Sequence, residues 1–221
     1  MCGRFTFASE FHELLSTWGL INPGWSWGPR YNVAPGQLIP VIMGSGDDRQ
    51  VELLKWGLVP FWAKDPSTGY KMINARSESV FEKPAFKKLI LRKRCLIPAD
   101  GLYEWQRTDN GKVPYRIVLT DRTLFAFAGL YDVWRTPSGE DMGTCTILTT
   151  VPNELMAKIH DRMPVILDRD QEDTWLSKHE VPRLVLETYM RPYPAEKMKA
   201  YVVSKEVGNV ANDQASLIFE A

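Results

Sequence analysis

The chain has 221 residues, 44% apolar and 24% charged, and its 27 basic and 27 acidic side chains give a formal net charge of zero. That length supports a substantial hydrophobic core. The charge balance excludes nucleic-acid binding through overall basicity, so any basic footprint must be local. The three cysteines (Cys2, Cys95, Cys145) and three histidines (His12, His160, His179) are irregularly spaced, making neither a disulfide framework nor a metal motif, and no cofactor signature is present. No stretch reaches the ~18 apolar residues of a membrane span. Residues 1–11 have no apolar run behind basic residues, so the expectation is a cytoplasmic protein without a signal peptide, its thiols kept free by a reducing compartment.

Cys2 comes first in chain order. Cysteine is small enough for methionine aminopeptidase to remove the Met before it, and the mature chain would then carry an α-amine and a thiol on one residue. The amine, with a pKa of ~7.7–8, is partly unprotonated at neutral pH, and the thiol is intrinsically nucleophilic. Together they condense with an aldehyde into a five-membered thiazolidine. The plain alternative is a small residue tucked into a strand.

Residues 7–19 have helical apolar spacing (Phe11, Leu14, Leu15, Trp18), with Ser9 as N-cap and Gly19 as stop. Residues 22–36, rich in Pro and Gly, should be irregular. Residues 38–43 and 51–56 read as strands around the turn at 44–47. Residues 56–68 form an aromatic and proline-containing loop, and residues 77–88 look helical. Strands are expected at 94–98, 101–106, 114–120, 124–131 and 144–150. Short helices are expected at 153–159, 170–177 and 181–190, and a late strand at 200–204. Strands in series with helices at the margins predict an α+β fold, a single domain over residues 1–221 with an antiparallel, barrel-like β core and peripheral helices.

Several polar clusters fall in expected loops, where function concentrates. Tyr31-Asn32-Val33-Ala34-Pro35-Gly36 is at its plainest an Asn-capped turn. Trp56-Gly57-Leu58-Val59-Pro60-Phe61-Trp62 supplies either core plugs or platforms for stacking bases. Ile73-Asn74-Ala75-Arg76-Ser77-Glu78 reads as a helix start with a solvated charge pair. In Ala99-Asp100-Gly101-Leu102-Tyr103-Glu104-Trp105, alternation puts Leu102 and Glu104 on one strand face and Tyr103 and Trp105 on the other. Glu104 is then an edge residue or a buried acid suited to proton transfer. His160-Asp161-Arg162-Met163-Pro164 follows an expected helix, and its histidine is either structural or simply exposed or, beside Asp-Arg at a helix end, a group for acid–base or phosphate work. The basic run at residues 83–94 (Lys83, Lys87, Lys88, Arg92, Lys93, Arg94) is a solvated helix face or a local phosphate track.

Taken in order with Met1-Cys2-Gly3-Arg4-Phe5 and Val207-Gly208-Asn209, these blocks resemble the SOS response-associated peptidase family, also called abasic-site processing proteins, over nearly the whole chain. The resemblance implies an α+β domain with a positively charged cleft for single-stranded DNA containing abasic sites. It implies that an exposed Cys2 attacks the ring-opened aldehyde of the lesion and leaves a thiazolidine DNA–protein crosslink that shields it. Asn74 would position the abasic sugar, and Glu104 and His160 would assist ring opening, proton transfer and reversal. Arg4, Arg76 and Arg162 would hold phosphates, while Trp62 and Pro35 stack on flanking bases. Trp62 is followed by Ala63 where some relatives carry a second tryptophan, which implies a smaller wedge. Lyase chemistry and a cysteine autopeptidase activity belong to the same picture, as do association with the nucleoid on damage and with replication-fork proteins, and a monomeric state. Two other readings compete: an N-terminal-nucleophile glutamine amidotransferase, which shares the Met-Cys-Gly start, and a non-catalytic single-strand-binding module.

Overall fold

The apolar alternation that marks most of the chain becomes strand pairing in the computed structural model, which describes residues 2–221. In chain order the strands are β1 (Phe5–Phe7), β2 (Arg30–Val33), β3 (Leu38–Met43), β4 (Gln50–Trp56), β5 (Asn74–Arg76), β6 (Arg94–Ala99), β7 (Gly101–Thr108), β8 (Gly111–Leu119), β9 (Phe125–Arg135), β10 (Asp141–Thr150), β11 (Met163–Pro164), β12 (Ile166–Leu167) and β13 (Met198–Val202). The α-helices are α1 (Phe11–Trp18), α2 (Leu89–Arg92), α3 (Arg169–Leu176) and α4 (Arg183–Tyr189).

β3 pairs with β4, β4 with β10, β10 with β9, β9 with β6, and β6 returns to β3, so these strands close into a ring. Closure leaves this ring without the unpaired edges of an open sheet. A second sheet runs in the order β13-β8-β7-β1-β2. The fold is α+β with a barrel-like core, antiparallel apart from two pairings: β4 and β5 both run parallel to β10, at Thr144–Cys145 and Ile147–Thr149 respectively. β5 therefore resumes the line that β4 leaves, and residues 57–73 form an excursion out of one interrupted strand. Its base is narrow: a Cβ on Gly57 would sit 2.8 Å from the Gly69 carbonyl oxygen, and one on Gly69 2.7 Å from that of Gly57. Only glycine allows the two backbones to approach this closely.

One buried cluster joins the sheets, with Phe5, Leu102 and Ile117 from the second sheet packed on Ile39, Trp56, Phe127 and Ile147 from the barrel. The Phe5 ring lies 5.2 Å from Trp56 and 5.8 Å from Phe127 between centroids. A second cluster seats the peripheral helices through Phe11, Leu14, Trp18, Trp175 and Leu186. No helix among the described residues is long and apolar enough to cross a membrane.

Several local expectations differ from what forms. Ser9 does not cap α1; its amide and hydroxyl go to Asp100, and Glu10 caps instead, in a reciprocal box with Glu13. Gly19, with φ +62°, ends the helix as expected. Residues 77–88 are not a helix but a single 3₁₀ turn (Ser77–Ser79) followed by turns, because Pro84 removes an amide donor mid-stretch. Residues 22–36 are not wholly irregular, since β2 pairs with β1, a strand the pattern did not announce. Residues 153–159 hold one 3₁₀ turn, Met156–Lys158.

Candidate functional site

β1 delivers Cys2 to the base of the second sheet. The strand lies between β2 and β7 (Phe5↔Val33, Phe5↔Leu102), and Asp100 fastens its far end. The Asp100 carboxylate accepts from Thr6 Oγ1 (2.6 Å), from the amides of Ala8 and Ser9, and from Arg116 Nη2 (3.3 Å). On the side facing the C-terminal segment, Arg4 Nη1 donates to Asn32 Oδ1 (2.7 Å) and to the Val207 carbonyl (2.7 Å). Asn32 Nδ2 donates in turn to the carbonyls of Val207, Asn209 and Asn212.

The resemblance implies an exposed nucleophile. With Met1 still on the chain, Cys2 is instead 3% exposed, because β1 runs through the core and the thiol joins its apolar cluster. Burial pushes the thiol well above its ordinary pKa, and the neighbouring Glu104 carboxylate adds to the rise. Burial also raises Glu104, against the pull of His160 and of a hydrogen bond with the Cys2 thiol. The alternation along β7 holds: Leu102 packs in the barrel-side core, and Glu104 points the same way, to Cys2. Tyr103 and Trp105 face the cluster of Val203, Val207 and Leu217.

Asn74, at the start of β5, donates from Nδ2 to the Cys2 carbonyl at 3.1 Å. Its Oδ1 is buried and has no hydrogen-bond partner among the described residues. His160 Nε2 lies 3.9 Å from Glu104 Oε2. His160 Nδ1 accepts from the Arg162 amide at 3.1 Å, and Asp161 Oδ1 is 3.0 Å from the same nitrogen, a contact that becomes attractive when the imidazole is protonated. Cys2, Asn74, Glu104 and His160 thus form one connected group.

The five residues assigned to DNA occupy different settings. Arg76 is exposed, two residues beyond Asn74 on the same face of β5. Trp62 is 54% exposed beside an exposed Phe61, and their loop is pinned by the Phe61 amide to Asp132 Oδ2 and by Trp134 Nε1 to the Ala63 carbonyl. Pro35 is half-buried in the turn after β2. Arg4 is engaged with Asn32 and Val207, and its guanidinium lies 5.7 Å from the centroid of the Trp105 ring. Arg162 is buried and forks onto Glu78 (2.6 and 2.9 Å) while also donating to the Thr149 carbonyl, so its guanidinium braces the His160 loop. The basic run at 83–94 disperses: Lys83, Lys87, Lys88 and Arg92 are exposed, Lys93 pairs with Asp132, and Arg94 is buried on the carbonyls of Trp175, Ile90 and Ser177.

Two adjoining clefts open beside the group. One of about 400 Å³ is lined by Glu104, Trp105, Arg107, Lys112, His160 and Gly208. The other, about 420 Å³, shares Trp105, Arg107 and His160 and adds Lys158 and Asp161. Arg107, Lys112 and Lys158, which line these clefts, carry no sequence signal beyond their position on a hairpin and a loop that flank Glu104 and His160. A larger concavity, about 560 Å³, is lined by Asp48, Glu52, Tyr131 and Lys178 and contains none of the connected group. No cluster of three or more His, Cys, Asp or Glu among the described residues is arranged to hold a metal ion.

The model of one protein family, described as SOS response associated peptidase (SRAP), matches residues 1–210. The chain belongs to the SRAP family. It is 49% identical over 221 residues, 99% of either chain, to the abasic site processing protein YoqW of Bacillus subtilis. It is 35% identical to the abasic site processing protein HMCES of Gallus gallus, covering 84% of this chain and 64% of that one. A crystal structure of a protein from Bacteroides thetaiotaomicron superposes with a TM-score of 0.91 at 28% identity, covering 100% of both chains. In this SRAP chain, sequence blocks far apart along the polypeptide meet at the N-terminal segment: Asn32 and Val207 bond Arg4, two residues past Cys2, and Asn74 bonds the Cys2 carbonyl.

Proposed function

We propose that this protein processes abasic sites in single-stranded DNA by capturing the ring-opened sugar on Cys2 as a thiazolidine, after Met1 has been removed. The observation that carries the reading is the connected group of Cys2, Asn74, Glu104 and His160 at the edge of a cleft flanked by cationic side chains. The names of YoqW and HMCES as abasic site processing proteins support the substrate class.

An abasic deoxyribose is mostly a closed hemiacetal, so the free aldehyde must be generated. Glu104, whose burial favours the protonated carboxyl, serves as the acid at the ring oxygen, and His160 beside it exchanges the proton. Asn74 fixes the Cys2 backbone through Nδ2 and has Oδ1 available for a sugar hydroxyl. The Cys2 α-amine adds to C1′, and loss of water gives an imine. The thiol then adds across the C=N bond: sulfur bonds to C1′, and the thiol proton ends on nitrogen through Glu104. Aldehyde and aminothiol give thiazolidine and water, with no redox change. Closure removes the imine from which β-elimination would cut the strand, so lyase activity is the failure of this last step and reversal is its retracing. A single strand offers the sugar without an unpairing cost.

The test is incubation with a single-stranded oligonucleotide carrying one abasic site, followed by a denaturing gel. A heat-resistant shifted band that disappears in Cys2→Ala is expected. Cys2→Ser keeps the amine and should give only an adduct that needs borohydride to trap it. No band from the wild type would overturn the reading in favour of a binding module, and release of ammonia from free glutamine would favour the amidotransferase.

A further inference from the structure

The β7–β8 hairpin carries an arrangement that costs stability and that the connected group does not explain. Arg107 and Lys112 are direct cross-strand partners near its tip, both exposed. Like charges placed opposite one another across an antiparallel pair repel. Among the described residues neither makes an ion pair, although Asp109 lies in the same turn. A third cation, Lys158, is exposed on the facing loop and also makes no ion pair there. The separation of the two walls is fixed, because Gln106 Nε2 donates to the Lys158 carbonyl at 2.8 Å. All three cations line the paired clefts that begin at Glu104 and His160, where the facing acids are Glu104 itself and Asp161. The floor between them is the half-buried Trp105 ring, with the Arg4 guanidinium 5.7 Å from its centroid.

We infer that Arg107, Lys112 and Lys158 form a phosphate track that takes the single strand on one flank of the lesion, with Trp105 beneath it. The inference rests on the proposed function for the position of the lesion, and it assigns the strand's path away from it. Fixed cations of one sign with no acidic partner are discharged by a polyanion, and a single strand releases counterions for each phosphate neutralised. The repulsion between Arg107 and Lys112 is relieved in the complex.

The experiment measures binding of fluorescent single-stranded DNA bearing a tetrahydrofuran abasic analogue, which cannot react, over a series of salt concentrations. Arg107→Ala/Lys112→Ala should lower the slope of log affinity against log salt by about 1.4, at ~0.7 per phosphate contact, and adding Lys158→Ala should lower it by a further ~0.7. Lys87→Ala/Lys88→Ala, exposed cations outside both clefts, should leave the slope unchanged. Trimming the oligonucleotide on the flank that the track holds should abolish the difference between wild type and variant, and trimming the other flank should preserve it. An unchanged slope in the hairpin variant, or an equal fall in the Lys87/Lys88 variant, would overturn the track. Crosslinking of reactive abasic DNA at saturation separates the two ideas. A wild type that crosslinks while the hairpin slope stays unchanged removes the track alone. A lowered slope without any crosslink keeps the track and removes the covalent chemistry.

Discussion

Asp100 holds the strand that presents Cys2, and removing its carboxylate should be among the most damaging substitutions outside the reactive group. The side chain is 3% exposed and accepts from the Thr6 and Ser9 hydroxyls, the Ala8 and Ser9 amides and Arg116. Asp100→Ala strands the buried Arg116 guanidinium, which keeps only neutral partners in the Tyr201 hydroxyl, the Thr6 hydroxyl and the carbonyl of residue 100. Breaking a buried ion pair from one side costs about 3–5 kcal/mol. For a chain of this size each kcal/mol moves the melting temperature by roughly 2–4 °C, so a fall of about 6–20 °C is expected. Asp100→Asn retains one acceptor oxygen and should lose about 1–3 kcal/mol. Urea denaturation followed by tryptophan fluorescence measures both, and a double-mutant cycle with Arg116→Met isolates the pair. Crosslinking by Asp100→Asn at a temperature where it remains folded should be slower, because Thr6 and the chain back to Cys2 lose their anchor. A loss below about 1 kcal/mol for Asp100→Ala, with two-state unfolding, would refute the idea that this carboxylate fixes β1.

Three further predictions concern the core of the site and the barrel. Glu104→Gln should slow crosslinking by about 10²–10⁴-fold in single-turnover gels, with the salt dependence of DNA binding unchanged, and an unaltered rate would remove its acid–base role. The same variant tests the raised carboxyl. A group that holds its proton more tightly when folded contributes fully to stability below the ordinary glutamate pKa of ~4.3 and loses that contribution as pH rises through its folded value. The stability of wild type relative to Glu104→Gln should therefore fall as pH rises above about 4, and a flat difference across a pH series of urea midpoints would contradict the shift. Gly129→Ala would place a methyl 2.8 Å from Cys95 Sγ and 2.9 Å from Ile97 Cδ1 at the β6–β9 pairing. Overpacking of that kind costs about 1–3 kcal/mol, measurable as a lowered urea midpoint at unchanged slope.

Strand alternation and turn residues made most of the barrel legible: the expected spans at 38–43, 51–56, 94–98 and 144–150 match β3, β4, β6 and β10 within a few residues. Phe5–Phe7 was not legible, because three consecutive buried residues carry no period and the strand exists only through its partners β2 and β7. Ser9 looked like a cap because its chemistry suits one, but a carboxylate 91 positions away competes for it. In β7 the period-two pattern did put Glu104 on the core-facing side with Leu102, which is where the structure has it. The pairing of Arg162 with Glu78 lay beyond any sequence pattern, since 84 residues separate them. The same holds for the place of Lys158 beside the β7–β8 hairpin, where its carbonyl accepts from Gln106, 52 positions away.

The interrupted strand also separates what can vary from what cannot. Gly57 and Gly69 close the neck of the excursion before the chain re-enters the barrel at Asn74. Leu58 and Val59, just past Gly57, are buried and hold the base of the excursion, whereas the exposed side chains at its tip, Phe61 and Trp62, can be replaced without disturbing that base or Asn74. The aromatic tip is thus an exchangeable tool on a fixed handle. On the function proposed above, swapping tips between relatives should retune which flanking bases are gripped while leaving the capture of the lesion as it is.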